Sequence, residues 1–80
     1  MSYYIEPNKD DLRRLEEIAE VPVYHPYGVQ ETLPRGTKIV LLDGPRTRGV
    51  ILQRTGIRYY DAVTIDGLRT VKVGEFEVVE

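Results

Sequence analysis

An 80-residue chain with a net charge of −2 is expected to form one small domain, burying only about 60% of its unfolded surface. It has no cysteine, which excludes disulfides and thiolate metal sites and fits a reducing, cytoplasmic setting. The longest apolar run, 39–42, is far short of the roughly 20 residues that cross a bilayer. The opening MSYYIEP shows no basic region followed by an apolar one, so no signal peptide is read there.

The first element is a helix over 9–20. Asn8 or Asp10 can cap it, and Asp10 and Asp11 in its first turn suit the helix dipole. Leu12, Leu15, Ile18 and Ala19 recur at spacings of three and four and give one apolar stripe. Val21-Pro22 ends the helix, because the residue before proline is pushed out of the α region. At about three turns such a helix is marginal alone, so the stripe must bury against something.

Residues 21–35 form a connector broken by three prolines and Gly28, with room for extended segments near 21–24 and 29–32. From Thr37 onward the pattern is β: strands over 37–42, 48–55, 58–65, 68–73 and 76–79, separated by Asp43-Gly44-Pro45, Thr55-Gly56, Asp66-Gly67 and Gly74-Glu75. If Asp66-Gly67 is a two-residue loop, Asp61 faces Lys72 and Tyr60 faces Val73. That register places Tyr60, Ala62, Val71 and Val73 inside, yet leaves Val63, Ile65 and Leu68 on the other face. A bent sheet that closes on itself, covered on its outer face by the helix or connector, accommodates both groups. The fold expected is therefore mostly β (α+β), a five-stranded small barrel with one N-terminal helix.

Gly36, Ile39, Leu41, Asp43-Gly44-Pro45, Gly49 and Val50-Ile51 follow the order of a glycine-led strand, a Gly-Pro turn and a glycine-valine strand start. Val71-Lys72-Val73, Phe76 and Val78-Val79-Glu80 complete the pattern. Over 34–80 the chain resembles the KOW module of NusG-type transcription factors and ribosomal proteins. It departs from that module in carrying Arg46 where an aromatic commonly follows Gly-Pro, and in a shorter turn from Gly44 to Gly49. The resemblance implies an SH3-like barrel and a binding role toward RNA, ribosomes or RNA polymerase. Shared fold alone does not transfer function.

Charge is unevenly spread: residues 1–33 carry a net −4 and residues 34–80 a net +2. Between Gly44 and Tyr60 there are four arginines and no acid. Arg46, Arg48, Arg54 and Arg58 with Tyr59 and Tyr60 are thus the candidate surface for a protein or ribonucleoprotein partner, with RNA or DNA as a further candidate. A second reading is a small phage-type inhibitor or adaptor that uses an acidic helix, with Glu16, Glu17, Glu20, Tyr24 and Tyr27 meeting a protein. A third is a receptor for a small anionic ligand such as a nucleotide. Alternatively, the acidic helix simply compensates the basic strands.

Catalytic and cofactor roles find no support in the sequence. The only serine, Ser2, is terminal, and His25 is the only histidine. Nucleophile–base pairs and His–metal clusters within one chain are therefore not expected. D-G-P-R-T-R-G lacks the spacing and lysine of a phosphate-binding loop. No metal, cofactor or enzymatic activity is expected, and no membrane association.

Overall fold

The computed structural model describes residues 5–18, a two-residue strand at 24–25, and residues 32–79. Expectations for Ala19, Glu20, Tyr27, Glu80 and the extended segment at 29–32 lie outside the described residues, apart from Thr32.

Helix α1 spans Lys9–Glu17, with Asn8 as its N-cap and Ile18 as its C-cap. The Asp11 N–H donates to Asn8 Oδ1 at 3.0 Å, and the Asn8 N–H donates to Asp11 Oδ2 at 2.9 Å. This reciprocal box satisfies two helix-terminal N–H groups. The helix is shorter than the 9–20 expected, and its buried stripe is turned by one position. Leu12 is half-exposed at 46%, whereas Asp11, Leu15 and Ile18 are buried. Asp11 can take the inward position because its carboxylate is satisfied there. Arg35 Nη2 reaches its Oδ2 at 2.6 Å.

The strands are β1 (Tyr24–His25), β2 (Lys38–Leu41), β3 (Arg48–Arg54), β4 (Tyr59–Thr64), β5 (Gly67–Lys72) and β6 (Phe76–Val79). All pairings are antiparallel, in the order β1-β6-β2-β3-β4-β5. β1 adds only two residues to the edge of a five-strand sheet, which places an extended segment close to the expected 21–24.

Strand alternation sends two apolar sets to opposite faces. One face gathers Leu33, Ile39, Leu41, Ile51, Tyr60, Ala62, Val71, Phe76 and Val78. The other gathers Val40, Val50, Leu52, Val63 and Val79 beneath Leu15 and Ile18 of the helix. Val63, anomalous in a one-sided sheet, is buried under α1.

The first face closes on itself. The rings of Tyr60 on β4 and Phe76 on β6 meet edge-on with centroids 6.3 Å apart. These strands lie three steps apart in the sheet, about 14 Å if it were flat. The sheet must therefore curl, and an irregularity between Ile51 and Gln53 on β3 assists the bend. Among the described residues no backbone pairing joins the two edges, β5 and β1, so the sheet is curled but not closed.

The β4–β5 hairpin also differs from expectation. Thr64 faces Gly67, so the loop is Ile65-Asp66, and every pair shifts by two residues. Gly67 takes φ +113° while Asp66 does not take a positive φ. A two-residue Asp-Gly loop needs both residues left-handed, so that loop is not formed. The Thr64 hydroxyl holds the turn instead, accepting from the Asp66 N–H at 3.1 Å and donating to Gly67 O at 2.8 Å. A shift of two preserves which face each side chain takes. Tyr60, Ala62 and Val71 are inside as expected, but Asp61 faces Thr70 and not Lys72.

Candidate functional surface

Helix-to-sheet ion pairs absorb part of the charge asymmetry. Asp11 pairs with Arg35, and Glu17 with Lys38 at 2.8 Å. The Lys38 ammonium holds the Glu17 carboxyl below its ordinary range, with Arg13 and Arg14 assisting. Glu16 is exposed. Of the acidic-helix candidates, Glu17 is thus committed to the sheet, and Tyr24 is placed only through the backbone of β1.

The four arginines do not form one cluster. Arg48 opens the seven-residue β3 and Arg54 closes it, about 20 Å apart at the rise of an extended strand. Arg48 is half-buried, and its Nη1 donates to the Ile18 carbonyl at 3.1 Å, at the C-terminal end of α1. A cation there satisfies a helix-terminal carbonyl and suits the dipole. Its role is to fasten the helix.

Arg46 lies in the β2–β3 connection. Asp43 organises this loop by accepting from the Thr47 N–H at 2.9 Å and the Thr47 hydroxyl at 2.7 Å. These two bonds, with Arg69 beyond them, hold the Asp43 carboxyl below its ordinary range. Arg46 is exposed at φ +54°, the one non-glycine residue described in the left-handed region. Arg46→Gly is expected to raise stability by about 1 kcal/mol, read by chemical denaturation, because the left-handed conformation penalises a Cβ.

At the other end of β3, residues 55–58 connect to β4. Tyr59 O accepts from the N–H groups of Thr55 at 2.9 Å and Gly56 at 3.2 Å. The Arg54 guanidinium folds over the loop. Its Nε donates to Gly56 O at 2.8 Å, its Nη2 to Ile57 O at 3.0 Å, and its Nη1 to the Thr32 hydroxyl at 3.3 Å. Val73 N–H donates to Arg58 O at 2.8 Å, tying the loop to the end of β5. This fixed frame presents Ile57 at 84% exposure, Tyr59 at 46%, and the exposed Arg58 side chain. Lys72 stands directly opposite Tyr59 on β5. Among the described residues none of Arg54, Arg58 and Lys72 is ion-paired.

Tyr60 is not a surface residue. It is 2% exposed, and its hydroxyl accepts from the Leu33 N–H at 3.1 Å. Adjacent strand residues face opposite ways, so exposing Tyr59 requires burying Tyr60. Tyr60→Phe is expected to leave a buried N–H without this acceptor and to cost about 1–3 kcal/mol in equilibrium unfolding.

Sequence reasoning missed Ile57 and Lys72. The signal for Ile57 was present: an isoleucine between Gly56 and Arg58, outside any strand pattern, with nothing adjacent to bury it.

No protein-family model matches the chain, and no curated protein or solved structure shows significant similarity to it. Among the described residues no helix is long and apolar enough to cross a membrane, and no group of acidic or histidine side chains is arranged to hold a metal ion.

Proposed function

We propose that the protein is a non-enzymatic binding module that docks on a macromolecular partner, a protein or ribonucleoprotein, through the β3–β4 turn. The observation that carries this is the turn itself. An isoleucine at 84% exposure and a half-exposed tyrosine sit beside an arginine and a lysine that are not ion-paired among the described residues, on a loop that two Arg54 hydrogen bonds fix and a third ties to Thr32. Aromatic and arginine side chains on a rigid frame are the chemistry of interface anchors, and fixing the loop in advance reduces the ordering cost of binding. The cations favour an anionic surface on the partner.

The curled sheet supports an SH3-like barrel as the fold reading. The meander of β2 to β5 and the return of β6 onto β2 are the features that support that reading. On that reading the tip of the barrel, and not the β2–β3 turn that carries the sequence likeness, is the contact surface.

The test is affinity capture from the native host by wild-type protein and by the double variant Ile57→Ser, Arg58→Glu, each with and without nuclease. The proposal predicts a partner lost by the variant while its circular dichroism is unchanged. Equal capture by the folded variant defeats it. Nuclease sensitivity separates a ribonucleoprotein from a protein partner.

A further inference from the structure

The two apolar clusters divide the chain unevenly. The inner face of the curled sheet is complete without the helix, because its nine buried residues all lie between Leu33 and Val78. The outer face takes only Leu15 and Ile18 from the helix, with Ile5 packed beside them. A nine-residue helix is marginal by itself, so α1 depends on this docking.

The attachments of α1 are of one kind. Among the described residues no backbone hydrogen bond crosses between 5–18 and the sheet. Side chains cross instead, each a cation on the sheet side meeting an acceptor on the helix side. Arg35 donates to Asp11 Oδ2 at 2.6 Å and to Glu6 O at 2.9 Å. Lys38 Nζ lies 2.8 Å from Glu17 Oε2, and Arg48 donates to Ile18 O at 3.1 Å. The Arg35 and Lys38 side chains are already 37% and 28% exposed, so both regain water readily on separation.

We propose that α1 is an acid-released strap: residues 5–18 leave the sheet as one unit while the curled sheet stays folded, uncovering Val40, Val50, Leu52 and Val63. Segments that bury few apolar side chains open at a lower free energy than the whole molecule. Separation breaks no ladder bond and leaves the inner cluster intact.

Acid acts through Asp11 and Glu17. Burial raises the Asp11 carboxyl, but the bonds from Arg35 and the Asn8 N–H, with the charges of Arg35 and Arg14, outweigh it. Glu17 is held down by the bond and charge of Lys38, with Arg13 and Arg14 assisting. Both carboxyls are therefore more acidic when docked than when free. Such groups favour docking above their free values and lose that contribution as pH falls below about 4. Release leaves the β3–β4 turn in place, because Arg54 bonds to Gly56, Ile57 and Thr32, all on the sheet side. The strap is thus independent of the function proposed for that turn.

Native-state hydrogen exchange of the whole chain, in low concentrations of urea, tests this. The amides of Leu12 to Ile18 are expected to share one opening free energy and one urea dependence, both smaller than those of Leu41 and Ile51 in the sheet. Between about pH 6 and about pH 3.5 the α1 opening is expected to rise about tenfold. In the double variant Asp11→Asn, Glu17→Gln that rise is expected to vanish. The sheet amides are expected to keep an acid dependence there, from Asp43, whose carboxyl Thr47 and Arg69 hold below its ordinary range. Exchange of α1 only together with the sheet, exchange graded from the helix ends without urea dependence, or a rise that survives in the folded double variant would overturn the proposal.

Discussion

Asp11→Ala is expected to lower stability by about 2–3 kcal/mol, from loss of the side-chain half of the capping box and of a charge-assisted hydrogen bond to Arg35. For a domain of this length that corresponds to a fall in the unfolding midpoint of roughly 10 °C or more. One carboxylate serves three groups at once: the Asn8 N–H, Arg35 Nη2 and, at 3.4 Å, Arg35 Nε. The side chain is 3% exposed, but that of Arg35 is 37% exposed and is rehydrated when the carboxylate is removed. The loss therefore falls short of stranding a buried charge. Glu17–Lys38 is wetter on the acidic side and is expected to matter far less.

Asp11 also sets a pH dependence. Burial pushes its carboxyl up, but the bonds from Arg35 and Asn8, with the charges of Arg35 and Arg14, outweigh burial and hold it below its ordinary range. A group more acidic in the folded than in the unfolded state stabilises above its unfolded value and loses that contribution as pH falls. The stability gap between wild type and Asp11→Asn is expected to be constant from neutrality down to about pH 5. It then narrows below about pH 4. Urea midpoints across that range measure it. A gap independent of pH down to the acid limit shows that the carboxylate charge contributes nothing.

The second large effect is on binding. Ile57→Ala, Arg58→Ala and Tyr59→Ala are each expected to weaken the captured partner by about 2 kcal/mol, roughly thirtyfold. All three are expected to leave the unfolding midpoint within a few degrees of wild type, because these side chains are exposed at least in part. Arg54→Ala differs. It removes the frame of the turn, so binding falls through loss of preorganisation although Arg54 need not touch the partner. Added salt is expected to weaken the wild type more than Arg58→Ala, since one cation fewer is screened.

Much of the fold was legible because it depends on local chemistry. The Asn8 cap, the strand breaks at Gly-Pro and Thr-Gly, and the inward set Tyr60, Ala62 and Val71 all follow from short-range pattern. The Asp66-Gly67 loop was misread because a dipeptide preference does not report backbone angles, and the Thr64 hydroxyl favoured a different turn. The arginines were misread for another reason. Four cations close in sequence looked like one patch, but two of them are also held by groups far along the chain. Arg48 bonds to Ile18 and Arg54 to Thr32, contacts that exist only once the helix docks and the sheet curls. What remained after those assignments, Ile57, Arg58 and Tyr59, is a smaller surface than the sequence suggested, and a better defined one.

The most direct measurement is a map of amide chemical-shift changes on addition of the captured partner. The largest changes are expected at 54–59 and at Lys72, with α1 unmoved. Changes centred on Glu16 and the exposed side of Lys9–Glu17, with the β3–β4 turn unaffected, would contradict the account and return the binding role to the acidic helix.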